Sequence, residues 1–112
     1  MPLIDPAIFD EIKQMSGADF MNELIDTFLE DAPKMIAELK SALEANNADS
    51  FRRAAHSLKS NAATFGASQL ATLAKELEML GKENKINETG NRLGALEEAY
   101  ESVREELSGL KS

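Results

Sequence analysis

Apolar residues in this chain recur at three- and four-residue intervals, and no stretch shows the two-residue alternation of a half-buried strand. Phe51, Ala55, Leu58, Ala62 and Phe65 follow that spacing, as do Leu70, Leu73, Leu77 and Leu80. At about 100° per residue each set forms one stripe, so each segment is a helix with a single face to bury. The chain therefore folds by packing helices on helices.

Helix start and stop signals divide the sequence. Asp5 caps a short first segment, Pro6 suits its first turn, and Gly17 follows its end. A second segment runs from about Asp19 to Asp31, with Phe20, Leu24, Thr27 and Phe28 at helical spacing. Pro33 restarts a third, in which Ile36, Leu39 and Leu43 repeat before Asn46-Asn47-Ala48-Asp49 ends it. Asp49 or Ser50 caps a fourth that continues to Phe65, with Gly66 after it. Ser68 caps the next, which ends at Gly81, and a polar connection leads to a last helix from about Arg92. Leu93, Leu96, Tyr100, Val103, Leu107 and Leu110 mark that helix. The expected fold is all-α, an antiparallel four-helix bundle with a short additional N-terminal helix, in one domain over residues 1–112.

Composition narrows the chemistry. The net charge of -8 opposes binding to nucleic acid or an anionic membrane. No cysteine is present, which excludes disulfides and thiol chemistry. No apolar run reaches the roughly 20 residues of a membrane-spanning helix. The opening MPLIDPAIFDEIKQM carries early acids and lacks the basic start and apolar stretch of a signal peptide. These features fit a cytoplasmic protein. Met15, Met21, Met35 and Met79 read as core or edge filler, and Glu97, Glu98, Glu101, Glu105 and Glu106 as a solvated face.

One histidine stands out, His56, in a segment with no acid between Ser50 and Ala74. With Phe51 at zero on the helical wheel, the apolar stripe stays within about 40° while His56 falls near 140°. The imidazole therefore points outward. Arg52 lies one turn before it, Lys59 and Ser60 one turn after, and Ala63 two turns after. Small side chains would let a partner approach the ring, and cations would receive an anion on it. The absence of a second histidine or a nearby acid in the sequence speaks against a metal site. Ser57 lies about 100° away around the helix, so it does not form a nucleophile–base pair with His56.

The run His56-Ser57-Leu58-Lys59-Ser60-Asn61-Ala62-Ala63, followed by Phe65-Gly66-Ala67, resembles the signature of histidine-containing phosphotransfer (HPt) domains. Ser60 stands where many members of that family have glycine, and it too is small. The resemblance implies a phosphorelay intermediate. His56 would accept a phosphoryl group from the phospho-aspartate of one receiver domain and pass it to the aspartate of another. Lys59 would stabilise the phosphoryl group, Arg52 would assist electrostatically, and Arg53, Ser60 and Ala63 would lie in the docking face. Implied partners are response-regulator receiver domains and a hybrid sensor histidine kinase, with this chain acting as a monomer. It implies no cofactor of the chain's own; magnesium would sit on the receiver domain. Nothing resembles a Gly-rich ATP loop, so the chain reads as a phosphoryl carrier and not a kinase. Two other readings compete: a helical interaction module without covalent chemistry, and a phosphopantetheine carrier using Ser50 in Asp49-Ser50-Phe51.

Overall fold

A computed structural model describes residues 18–110 and, before them, Ala7, Asp10, Glu11 and Gln14. The expected N-terminal helix from Asp5 to Gly17 lies outside the described residues, apart from those four, which are helical. Four long helices follow: α1 (Ala18–Glu44), α2 (Ala48–Thr64), α3 (Ser68–Lys82) and α4 (Arg92–Leu110). A 3₁₀ turn at Ile86–Glu88 joins the last two, and no strand occurs among the described residues. At about 1.5 Å per residue the 27 residues of α1 span about 40 Å, the long dimension of a bundle measuring 42 × 24 × 20 Å.

The expected break at Pro33 is absent, because α1 runs through it. Proline inside a helix removes one backbone hydrogen bond and crowds the preceding turn, at a cost of about 3 kcal/mol. Against that stands one unbroken stripe, Met21, Ile25, Phe28, Ala32, Ile36 and Leu39, all buried. Each large side chain buried contributes about 1.5–3 kcal/mol, so keeping the two halves in phase outweighs the proline. Pro33 itself is exposed, off the stripe.

Helix ends also differ from expectation in their details. The cap of α2 is Asn47, whose Oδ1 accepts from the backbone N–H of Ser50 at 3.1 Å; neither Asp49 nor Ser50 caps it. Ser68 is the first residue of α3, and its side chain makes no capping bond to the helix. The first three helices close alike. Asn46, Gly66 and Asn84 adopt positive φ (54°, 67° and 58°), and the next residue's N–H turns back onto the helix. Those bonds run from Asn47 to Ala42, Ala67 to Ala62 and Lys85 to Leu80. Gly81 therefore does not end α3. It is buried one residue inside the helix, where a side chain would strike Arg52 of α2.

One buried cluster joins all four helices, with Ile25, Leu39, Phe51, Leu58, Leu70, Leu77, Leu96 and Leu107 fully enclosed. At one end Phe28 packs against Phe65 (ring centroids 5.5 Å apart) and Tyr100 (5.9 Å). The Tyr100 hydroxyl is buried without a hydrogen-bond partner among the described residues, and burial together with Glu101 raises its pKa. Among the methionines, Met21 is core, Met35 is half-buried and Met79 is 42% exposed at the edge of α3; Met15 lies outside the described residues. Glu98, Glu101 and Glu105 are exposed on α4, whereas Glu97 is half-buried and pairs with Lys40 of α1 at 3.0 Å.

Candidate functional site

The stripe of α2 fixes what the rest of that helix presents. Phe51, Ala54, Ala55, Leu58 and Ala62 are buried, so Arg53, His56, Ser57, Ser60 and Ala63 face solvent. The His56 side chain is 56% exposed, as the wheel requires. Arg52, Lys59 and Asn61 lie half-buried on the flanks between the core and the open face. On the α1 flank, the Asn61 amide donates to the Met35 sulfur at 3.6 Å.

On the opposite flank α3 supplies a carboxylate that the spacing of acids along α2 did not reveal. Glu78 Oε2 lies 2.6 Å from His56 Nδ1, and Glu78 Oε1 accepts from Lys59 Nζ at 2.6 Å. Its side chain is only 16% exposed. Burial pushes its pKa up, but the hydrogen bonds from Lys59 and His56 outweigh that and hold the carboxyl below its ordinary range. A carboxylate accepts from both neighbours, which fixes the roles: Nδ1 carries the proton and donates to Glu78. In the neutral ring, Nε2 is then the nitrogen with a free lone pair, and it has no partner among the described residues.

This corrects the electrostatic picture drawn from sequence. His56 is in contact with an acid, and Lys59, expected as a cation open to an anion on the ring, is tied to that same acid. Arg52 points elsewhere: its Nη2 lies 3.0 Å from Asp49 Oδ1, and Arg53 Nε lies 3.2 Å from Asp49 Oδ2. The structure thus brings together His56, Lys59 and Glu78, and it leaves Arg52 and Arg53 on Asp49, toward the start of α2. Ser50, the residue of the carrier reading, is half-buried in the first turn.

Glu78 had a findable signal. Helices α2 and α3 form a hairpin that turns at Gly66 and Ala67, so residues about equally far from the turn oppose each other. That relation pairs His56 with Glu78 and Arg52 with Gly81. The buried stripe of α3, Leu70, Ala74, Leu77 and Gly81, places Glu78 on its flank just as the stripe of α2 places Lys59. No group of three or more His, Cys, Asp or Glu side chains suited to hold a metal ion occurs among the described residues. No described helix is long and apolar enough to cross a membrane.

The described residues form an all-helical bundle that exposes an imidazole held by a carboxylate, and comparison with known proteins gives the class. A sequence model of the Hpt domain matches residues 23–106. The histidine-containing phosphotransfer protein B (HptB) of Pseudomonas aeruginosa PAO1 superposes with a TM-score of 0.92 at 25% identity, covering 98% of this chain and 95% of that one. The Multistep phosphorelay regulator 1 of Schizosaccharomyces pombe is 28% identical over 82 residues, 70% of this chain. The match spans 28% of that relative's length. The chain belongs to the Hpt domain family, and its place is that of a phosphorelay intermediate.

Proposed function

We propose that His56 Nε2 is the atom that carries the phosphoryl group. The observation that carries this reading is the 2.6 Å contact from Glu78 to His56 Nδ1 on a ring that is 56% exposed. It holds one nitrogen and leaves the other, without a partner among the described residues, at the surface.

The transfer follows from that geometry. The Nε2 lone pair attacks the phosphorus of an aspartyl phosphate, the N–P bond forms, and the P–O bond to the aspartyl carboxylate breaks. The electron pair leaves with the carboxylate. No proton need move, because Nδ1 already holds one. The ring then bears positive charge, which the Glu78 carboxylate stabilises through the Nδ1–H bond. Lys59, one turn from His56, is the cation positioned to meet the new phosphoryl oxygens. Attack by a second aspartate on the phosphohistidine reverses these changes and regenerates the neutral ring.

The partners in this scheme are receiver domains of response regulators, charged from a hybrid sensor histidine kinase, and each meets this chain as a monomer. Magnesium, which phosphoryl transfer uses, sits on the carboxylates of the receiver. Ser60 and Ala63, exposed on the same helix as His56, belong to the docking face, whereas Arg53 is held by Asp49 on the side toward α1. Arg52 acts at most at longer range, through Asp49.

The test is His56→Gln. Incubation with a phosphorylated receiver domain should label the wild type and leave the variant unlabelled. Folding stability should change by less than about 0.5 kcal/mol, because the ring is a surface group. Labelling of the variant overturns the assignment.

A further inference from the structure

Lys75 and Lys82 lie on α3 one turn before and one turn after Glu78, on the same flank of the helix. Both are exposed, and neither forms an ion pair among the described residues. Every other described Lys or Arg pairs with a carboxylate: Lys34, Lys40, Arg52, Arg53, Lys59, Lys85, Arg92 and Arg104. With 20 acids against 12 basic residues in the chain, partners for two more cations are abundant. These two are nevertheless free, and they bracket the His56 site at a separation of about 10 Å.

Between them stands Met79, one of two large hydrophobic side chains exposed among the described residues. Met79 and Lys75 line the edge of a groove of about 340 Å³ that reaches Leu80 and Arg92, at the start of α4. The outer surface of α3 thus combines free positive charge on the flank of Glu78 with an exposed flexible apolar side chain, and a shallow groove lies beyond them on the α4 side. Across α2 the surface is different. The larger groove toward α1, of about 540 Å³, is lined by Glu38, Ser41, Asn47, Ser50 and Ser57, with the cation Arg53 already paired to Asp49.

We propose that Lys75, Met79 and Lys82 form a docking surface for an acidic face of the receiver domain, so that the partner reaches His56 over α3 and not over α1. Charge complementarity favours that occupant. An aspartyl phosphate bound to magnesium sits among carboxylates, and that rim is the one part of the partner that must come close to His56. Two free cations about 10 Å apart steer such a rim onto the imidazole, and Met79 adapts to an apolar side chain beside it. The proposal rests on the reading of His56 as phosphoryl acceptor.

The experiment compares Lys75→Glu/Lys82→Glu with a control of equal charge change on the other side of the bundle, Lys34→Glu/Arg104→Glu. Three quantities are measured: labelling of His56 by phosphoramidate, the second-order rate of transfer from a phosphorylated receiver, and calorimetric binding of the unphosphorylated receiver. In the α3 variant, transfer and binding should fall at least tenfold below wild type at low salt, with a flatter dependence on sodium chloride. Phosphoramidate labelling should be unchanged, and the control should stay within threefold of wild type in every measurement. Equal receiver rates in the α3 variant and the control overturn the docking proposal. Failure of wild-type His56 to take label from either donor overturns the acceptor reading instead, and the calorimetric comparison then judges the docking surface without phosphoryl chemistry.

Discussion

The backbone of Gly81 on α3 lies so near Arg52 on α2 that a β-carbon on Gly81 would come within 2.8 Å of Arg52 Cβ and 2.9 Å of Arg52 Cα. Those are main-chain-bound atoms, so no side-chain rotation relieves the contact. Alanine would gain about 1 kcal/mol in helix propensity and lose about 1–3 kcal/mol to overpacking. Gly81→Ala is expected to lower the unfolding free energy by about 1 kcal/mol, read by urea titration. Because the same crossing sets the distance between His56 and Glu78, phosphoryl transfer should slow as well. A variant that is more stable and fully active would show that the crossing has slack.

Glu78 ties the site to acid stability. Its folded pKa lies below the ordinary carboxylate value of 4.5, so the unfolded chain takes up the proton first as pH falls. The resulting stabilisation is full above the ordinary value and is lost as pH drops through the depressed one. Glu78→Gln should therefore differ most from wild type near neutral pH, with the gap narrowing between about pH 5 and pH 3. It should also slow transfer by about tenfold, since the amide accepts from Nδ1 without offering the charge that stabilises the phosphorylated ring. Parallel stability curves for the two proteins would remove Glu78 from the linkage.

Ser60 and Ala63 are exposed on the same helix as His56, and they keep the approach to the ring low. Ser60→Arg or Ala63→Gln leaves the histidine intact and uses good helix formers, so folding should hold. Reaction with phosphoramidate should persist while reaction with a phospho-receiver falls tenfold or more, about 1.4 kcal/mol of activation free energy. Equal losses with both donors would mean that the histidine site itself is damaged.

Tyr100 offers a test away from the site. Its hydroxyl is buried without a partner among the described residues, so Tyr100→Phe removes a desolvated group and keeps the ring contact with Phe28. Melting temperature should stay level or rise, by up to about 1 kcal/mol in stability. A clear loss of stability would reveal a hydrogen bond to the hydroxyl in solution.

The periodicity of apolar residues by itself determined that the chain is all-helical, which face of each helix is buried and that His56 points outward. Those properties follow from the 3.6-residue turn, and each helix carries its own copy of the pattern. The motif around His56 and Lys59 was likewise legible, because its residues are neighbours on one helix. Tertiary structure decided the rest. Local rules break a helix at Pro33, but the buried stripe from Met21 to Leu39 overrides them, and only packing against the other helices supplies that energy. Gly81 looks like a helix end and is instead a crossing point. Glu78 lies 22 residues from His56, and no spacing rule within one helix connects them. The α2–α3 hairpin brings them together, so the proton on Nδ1, the partner of Lys59 and the nitrogen left free for chemistry are all consequences of how two helices pack.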